Sequence, residues 1–599
     1  MGLGILEDPV LEHVPGTTKY FDDPAHPRYA ADGATGLKCD TSGPVPIILV
    51  PQPSDDPNDP LNWPLWKRDL ITFLLSTTAV FGTALGPILA PETLLLSLWM
   101  GKPVDNIARL TGYFLLGVGV AGFFFIASSR IWGKRHLFVL GTVILVASSA
   151  WAGASGKNYK SFLWARIFQG IGTAPFEALV NAAVGDLYCV HQRGTRMAFT
   201  NLAVFGGAFF CPVLAGKITM ELGWWWSFYF VAIFTGVCLP FIVFFCPETA
   251  YRRDRSLNLD FLATDNPAED ASSGGQRSDA ELRASDQEKG SGGGGGEGGG
   301  PNNSTESARA LSKAVPPKAT FWQSVALFNG RKSDEVFWRL LLRPLPLFLQ
   351  PAFFWSCLIQ GTLIAWTVFV GVILGLFLQS TPLWWDPDKT GYAYVAGFIG
   401  ALVGFAIVGL LADWSARKLT RWNRGVYEPE FRILLTVPQL VLGCAGLYGF
   451  GITADGIHDK VYSYPVPLTF FGLVVAAMVV GAVAGSLYIV DAYRELAVEA
   501  FTCMIIFKNL ISFGLTYKAY TWLVTSHRGT AKNATPLFRI LFIIQLIIGL
   551  SSIPMYVFGK RIRGFFYRHS LVKFFEDKIL TPIESAVRWL LSPVLALRR

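Results

Sequence analysis

The chain has 599 residues, 52% hydrophobic and only 16% charged, with a mean hydropathy of +0.40, which excludes a disordered protein and an ordinary soluble enzyme. A formal net charge of +8 suggests a nucleic-acid partner, but the Lys and Arg sit in short turns between apolar runs and in the tails. That pattern sets membrane topology, so no nucleic-acid partner is expected.

Residues 1–68 are polar and rich in Pro and Asp, too long and hydrophilic for a cleaved leader, and read as a retained N-terminal tail in the cytosol. Six apolar runs follow near 69–90, 108–127, 137–154, 162–184, 198–219 and 225–246. Each is about the 20 residues needed to cross roughly 30 Å of hydrocarbon, and together they form a first six-helix bundle over 69–249.

The fourth run carries polar residues at helical spacing. Counting from Arg166, Gln169, Thr173, Glu177 and Asn181 fall within a stripe roughly 120° wide at 100° per residue. Charges at membrane depth face a bundle interior or a watery cavity, so Arg166 and Glu177 are candidates for proton coupling, and Gln169, Thr173 and Asn181 for a substrate cavity. Arg166 and Glu177 lie about 16 Å apart along the axis, so each needs a partner of its own. The bland alternative is that Arg166 snorkels and Glu177 bonds a neighbouring helix. The fifth run contains Gly207, Pro212 and Gly216, which allow close helix approach and a local bend.

Residues 250–345 are polar, and Ser291 to Gly300 is nearly all glycine. This composition predicts a disordered cytosolic loop, either a plain tether or a site of regulation by phosphorylation. Six further runs, near 350–378, 392–412, 431–452, 466–490, 498–523 and 537–558, form a second bundle over 346–558. In the eleventh, Lys508 and Asn509 interrupt the apolar sequence and are candidates for the substrate path. Residues 559–599 read as a basic amphipathic tail on the anionic inner leaflet.

Cations favour the loops on the side of the termini by roughly two to one, which predicts that both termini are cytosolic. Asn533 then faces outside as a glycosylation acceptor, whereas the sequons at Asn302 and Asn303 stay unmodified. The eight cysteines include no CxxC pair and the histidines stand singly, so no metal site, nucleophilic triad or cofactor is expected and nothing proposes an enzyme.

Four local sequences add a resemblance. They are Asp56 to Trp63 before the first run, Gly409 to Lys418 with Asp413 and Arg417, Arg424 to Arg432 (Arg-Gly-Val-Tyr-Glu-Pro-Glu-Phe-Arg), and Ile489 to Arg494. With Arg166 to Gly172, they resemble the major facilitator superfamily. They are most similar to fungal drug:proton antiporters with twelve spans, in a subgroup that includes HOL-type cation and polyamine transporters. The resemblance implies an all-α integral membrane protein with twelve transmembrane helices in two six-helix halves. It implies a proton-coupling role for Arg166, gating roles for Asp413 and Arg417, and an antiporter motif in degraded form around Gly207, Pro212 and Gly216. Arg130 and Arg135 occupy the first-half gating loop, with Arg130 where the family has an acid.

The expected function is proton-coupled secondary transport at the plasma membrane by a monomer, exporting a small organic molecule, with protons and membrane lipids as further partners. Import of cations or polyamines, and a non-transporting sensor, are the alternatives.

Overall fold

The computed structural model describes residues 3–11, 14, 16–19, 38–40, 47–48, 52–252, 317–333, 335–380, 383–423, 426–458, 461–493, 496–524 and 534–582. Span 1 begins as Leu65–Ala84, tightens into a 3-10 turn at Pro87–Glu92 and resumes as Thr93–Met100, which ends at Gly101 in the left-handed region (φ 61). Pro87 and Pro91 force that break by removing backbone donors. Spans 2 to 6 are Val104–Trp132, Arg135–Ala154, Tyr159–Leu187, Val190–Leu222 and Trp224–Phe245.

Span 7 is Pro351–Gln379, and span 8 is Pro387–Ala393 followed by Val395–Trp422. Spans 9 to 11 are Thr436–His458, Pro465–Ala492 and Ala497–Val524. Span 12 is Ala534–Leu550, continued by Ser552–Arg568. Among the described residues, eleven helical stretches are long and apolar enough to cross a membrane. The twelfth helix is span 4, as long as span 2 but made less apolar by its polar stripe.

Each half has its own core. Leu75, Ile107, Leu145, Phe162, Phe176 and Phe228 anchor the first, and Phe369, Phe450, Phe471, Val475 and Phe538 the second. Outward faces stay apolar, with Leu140, Val143, Ile233, Phe241, Val441 and Ile547 exposed, as a lipid-facing surface requires. The halves meet along span 2 against span 11 and span 5 against span 8.

Three expectations need correction. Span 1 extends to Met100 rather than stopping near 90, because its prolines bend the helix without ending the buried path. The central region is not structureless throughout, since residues 317–347 form short helices at Phe321–Val325, Phe337–Leu342 and Pro344–Leu347. Leu340, Leu341 and Leu347 bury there, whereas the glycine-rich centre lies outside the described residues.

In the tail, Lys560 and Arg563 turn inward to acids instead of outward to headgroups. Residues 583–599 lie outside the described residues. The N-terminal segment docks on the same end of the bundle. Leu6 N donates to Val557 O (3.0 Å), residues 18–19 pair with 426–427, and Asp8 meets Arg568 at 3.4 Å.

Candidate functional site: two polar centres between buried helices

Glu177 on span 4 and Lys508 on span 11 form a direct ion pair across the boundary between the halves, both largely shielded from solvent. The close seating of span 11 explains how they meet. A Cβ on Gly361 of span 7 would come within 2.5 Å of the Phe507 ring, and one on Gly119 of span 2 within 3.1 Å of Asn509 Cβ. Bare backbone at these two positions lets neighbouring helices approach span 11 and hold Lys508 toward span 4.

Further along span 4, Arg166 and Gln169 are fully buried, and the Arg166 guanidinium donates to Gln169 Oε1 (2.9 Å) while lying 4.9 Å above the Phe114 ring. Arg166 Nε and Nη2 have no hydrogen-bond partner. Glu92, in the 3-10 turn of span 1, is also fully buried and within electrostatic reach of Arg166. Its Oε1 accepts from Thr219 of span 5 (2.5 Å) and Ser227 of span 6 (2.9 Å), while Oε2 is unpaired. The centre is therefore a carboxylate and a guanidinium enclosed together, each with spare hydrogen-bonding capacity.

The other polar residues of the stripe have local partners. Thr173 donates to Gly82 O (3.2 Å) and Gln169 O (2.9 Å), tying span 4 to span 1 near its break. Asn181 donates to Asn201 (3.0 Å) and accepts from Thr200 (2.8 Å), linking spans 4 and 5 within one half. Asn509 donates to Ile505 O of its own helix and packs against span 2.

Where span 2 ends and span 11 begins, Arg130 meets Glu499 at 3.0 Å, joining the two spans. Arg343 reaches Glu499 from the other side at 3.5 Å. Arg135 does not join this network. It is buried, and its guanidinium donates to Cys246 O (2.7 Å), Val243 O (2.6 Å), Ser324 O (3.1 Å) and Val325 O (2.8 Å), so it fastens chain rather than pairing with a carboxylate. Arg417 is exposed on span 8, and the Asp413 side chain and Asn533 lie outside what the structure describes. Toward the opposite end, Gly216 approaches Pro387 O and Pro212 O faces Gly391, while Gly207 abuts Val80 of span 1 near the middle of span 5.

Sequence reasoning missed Glu92, Glu499 and a third cluster. Glu428 and Glu430 are buried with Arg563 and Lys560, with Arg563 donating twice to Glu430 (both 2.9 Å) and Lys560 to Glu428 (2.7 Å). Beside them Asp491 accepts from Tyr427 (2.5 Å) and Arg432 (3.0 Å). The Glu-Pro-Glu sequence and the basic run after span 12 were both visible, but their pairing was not.

Two helical bundles enclosing buried, unlike charges at their boundary define a membrane carrier of the two-bundle class. The chain belongs to the Major Facilitator Superfamily, whose family model matches residues 70–513. It is 26% identical to Protein HOL1 of Saccharomyces cerevisiae, over 88% of this chain and 91% of that protein. It is 25% identical to the uncharacterized MFS-type transporter C1271.10c of Schizosaccharomyces pombe, over 93% and 94%. A shorter match, 30% identical over 33% of this chain and 34% of the relative, is to the multidrug transporter TPO1_2 of Candida glabrata.

Among solved structures, a D-xylose-proton symporter superimposes with a TM-score of 0.52 at 13% identity, over 81% of this chain and 97% of that one, which shows the shared fold. The protein is accordingly a multi-pass membrane transporter for a small molecule, not an enzyme. No group of His, Cys, Asp and Glu that would hold a metal ion occurs among the described residues.

Proposed function

We propose that this protein is a proton-coupled secondary transporter of the plasma membrane, with cytosolic termini, that exports a small organic molecule by rocking its two halves about the Glu177–Lys508 pair. The observation that carries the reading is that pair. It is a carboxylate and an ammonium contributed by opposite halves and held in contact at membrane depth. A proton delivered to Glu177 removes the attraction that holds Lys508, so protonation and the relation of the halves are linked. The Arg130–Glu499 contact acts as a gate at the cytosolic end. A proton moving down about 150 mV and one pH unit supplies roughly 5 kcal/mol, enough for a gradient of a few thousandfold.

The multidrug name of the Candida relative supports export. A second reading, proton-driven import of cations or polyamines, is favoured by two intramembrane acids, the buried Glu92 and the largely shielded Glu177, which suit a cationic substrate.

Purified protein in proteoliposomes with an imposed pH gradient tests both readings, using labelled spermidine and a labelled lipophilic cation as probes. Accumulation against the proton gradient supports antiport, and accumulation along it supports import. Movement that ignores the gradient contradicts proton coupling.

A further inference from the structure

The segment after the glycine-rich loop carries large apolar side chains outward. Trp322 is 76% exposed, Trp338 62% and Phe328 60%, with Phe321 beside them. So many exposed aromatics in one short stretch mark a surface that meets something apolar.

The depth of the segment is fixed by bonds to helix ends. Arg135 holds Ser324 O and Val325 O with the same guanidinium that holds Val243 O and Cys246 O. Lys332 N donates to Ile131 O (2.7 Å), the Phe328 ring lies 5.1 Å from His136, and the Phe337 ring lies 6.0 Å from Trp132. Ile131 and Trp132 end span 2, Arg135 and His136 begin span 3, and Val243 and Cys246 mark the end of span 6. The segment therefore lies level with the point where three helices leave the apolar layer. Immediately along spans 3 and 6, Leu140, Val143, Phe241 and Phe244 face outward as lipid-facing residues, so the exposed aromatics continue a surface that lipid already covers.

Basic residues are interleaved, with Lys318 and Arg331 exposed and Lys332 half-buried. Apolar rings at the edge of a spanning surface, with cations beside them, match the interfacial layer of an anionic membrane.

We propose that residues 318–333 and 335–338 form an interfacial anchor beside spans 3 and 6, with Phe321, Trp322, Phe328 and Trp338 seated among lipid acyl chains and Lys318, Arg331 and Lys332 on anionic phospholipid headgroups. The anchor rests on the membrane-spanning reading of spans 2, 3 and 6. It is independent of substrate, direction and proton coupling, so its failure leaves those untouched.

The test uses the full-length protein with Trp322→Cys carrying an environment-sensitive fluorophore, in nanodiscs of phosphatidylcholine with or without phosphatidylserine. The expected result is strong quenching by phospholipid labelled near the headgroup and weak quenching by aqueous iodide. The lipid quenching should rise when phosphatidylserine is present, and Lys318→Gln/Arg331→Gln/Lys332→Gln should abolish that rise while leaving the level in phosphatidylcholine alone unchanged. Iodide quenching equal to that of the same label at exposed Glu221 overturns the proposal. So does a label shielded from both quenchers, since that is the mark of a covering protein partner. Phosphatidylserine dependence that survives the triple substitution overturns the headgroup assignment.

Discussion

Arg130 at the end of span 2 and Glu499 at the start of span 11 meet at 3.0 Å, so an ion pair joins the two halves at one end of the bundle. Glu499 is buried and also faces Arg343, whereas Arg130 is partly exposed. The cost of breaking the contact therefore falls mainly on the carboxylate left behind. For a gate, Arg130→Gln and Glu499→Gln each change the transport rate, and the double variant changes it no further than the stronger single. Independent, additive effects in the cycle would show that the two residues do not act as one unit.

The enclosed centre of the first half yields a stability prediction. Thr219→Val and Ser227→Ala each remove one donor from Glu92 Oε1 and should lower stability by about 1 kcal/mol, read as a fall in melting temperature in detergent. Arg166→Lys should leave the protein in the membrane but reduce transport at least tenfold. An ammonium does not reproduce a planar fork that bonds Gln169 while stacking over Phe114.

The docked N-terminal segment should be sensitive to acid. Val10 N and Leu11 N donate to Asp8 (2.8 and 3.0 Å) and hold its carboxyl below the usual range, and Arg568 adds to the effect. A carboxyl lowered in the folded state stabilises docking above its ordinary pKa and loses that contribution as pH falls through the lowered value. Limited proteolysis of residues 1–20 should accelerate over that acidic window. Asp8→Asn should give the faster cleavage at neutral pH and flatten the dependence.

Topology and the glycine-rich loop are checked together by two modifications. If the Gly-rich composition marks a tether, deleting residues 285–300 should leave expression and transport largely intact. In a eukaryotic host, Asn533→Gln should abolish a glycan-dependent mobility shift, whereas Asn302→Gln and Asn303→Gln should have no effect. Modification at 302 or 303 would invert the orientation.

Much of the architecture was legible because membrane spans announce themselves by length and apolarity, and even span 4 stood out through its polar stripe. The stripe also placed Arg166, Gln169 and Glu177 on one inward face of span 4, since helical spacing is local information. Partners were not legible. Nothing in the sequence near Glu177 names Lys508, and Arg130 finds Glu499 only once span 2 lies along span 11. Glu92 was lost for another reason. The apolar run thins near residue 90, whereas the turn at Pro87–Glu92 only bends the span and carries the carboxylate inward. Arg135, a basic residue of a turn expected to gate, spends its two terminal guanidinium nitrogens on four main-chain carbonyls, which local sequence does not reveal.

The burial of the Glu177–Lys508 pair also predicts how substitutions combine. Lys508→Met alone leaves an uncompensated carboxylate and should cost about 3–5 kcal/mol of stability. Adding Glu177→Gln removes that charge and should recover most of the loss. Equal destabilisation in the single and double variants would place the cost in packing.

The central claim, that Glu177 carries the coupled proton, is tested most directly by the pH dependence of gradient-driven transport in proteoliposomes containing Glu177→Gln. Gln keeps the shape of the side chain and some of its hydrogen bonding but neither takes up nor releases a proton. The predicted result is a properly inserted protein whose transport no longer responds to the pH gradient. Wild-type rates with an unchanged pH profile would contradict the account and return Glu177 to the role of a helix-packing polar group.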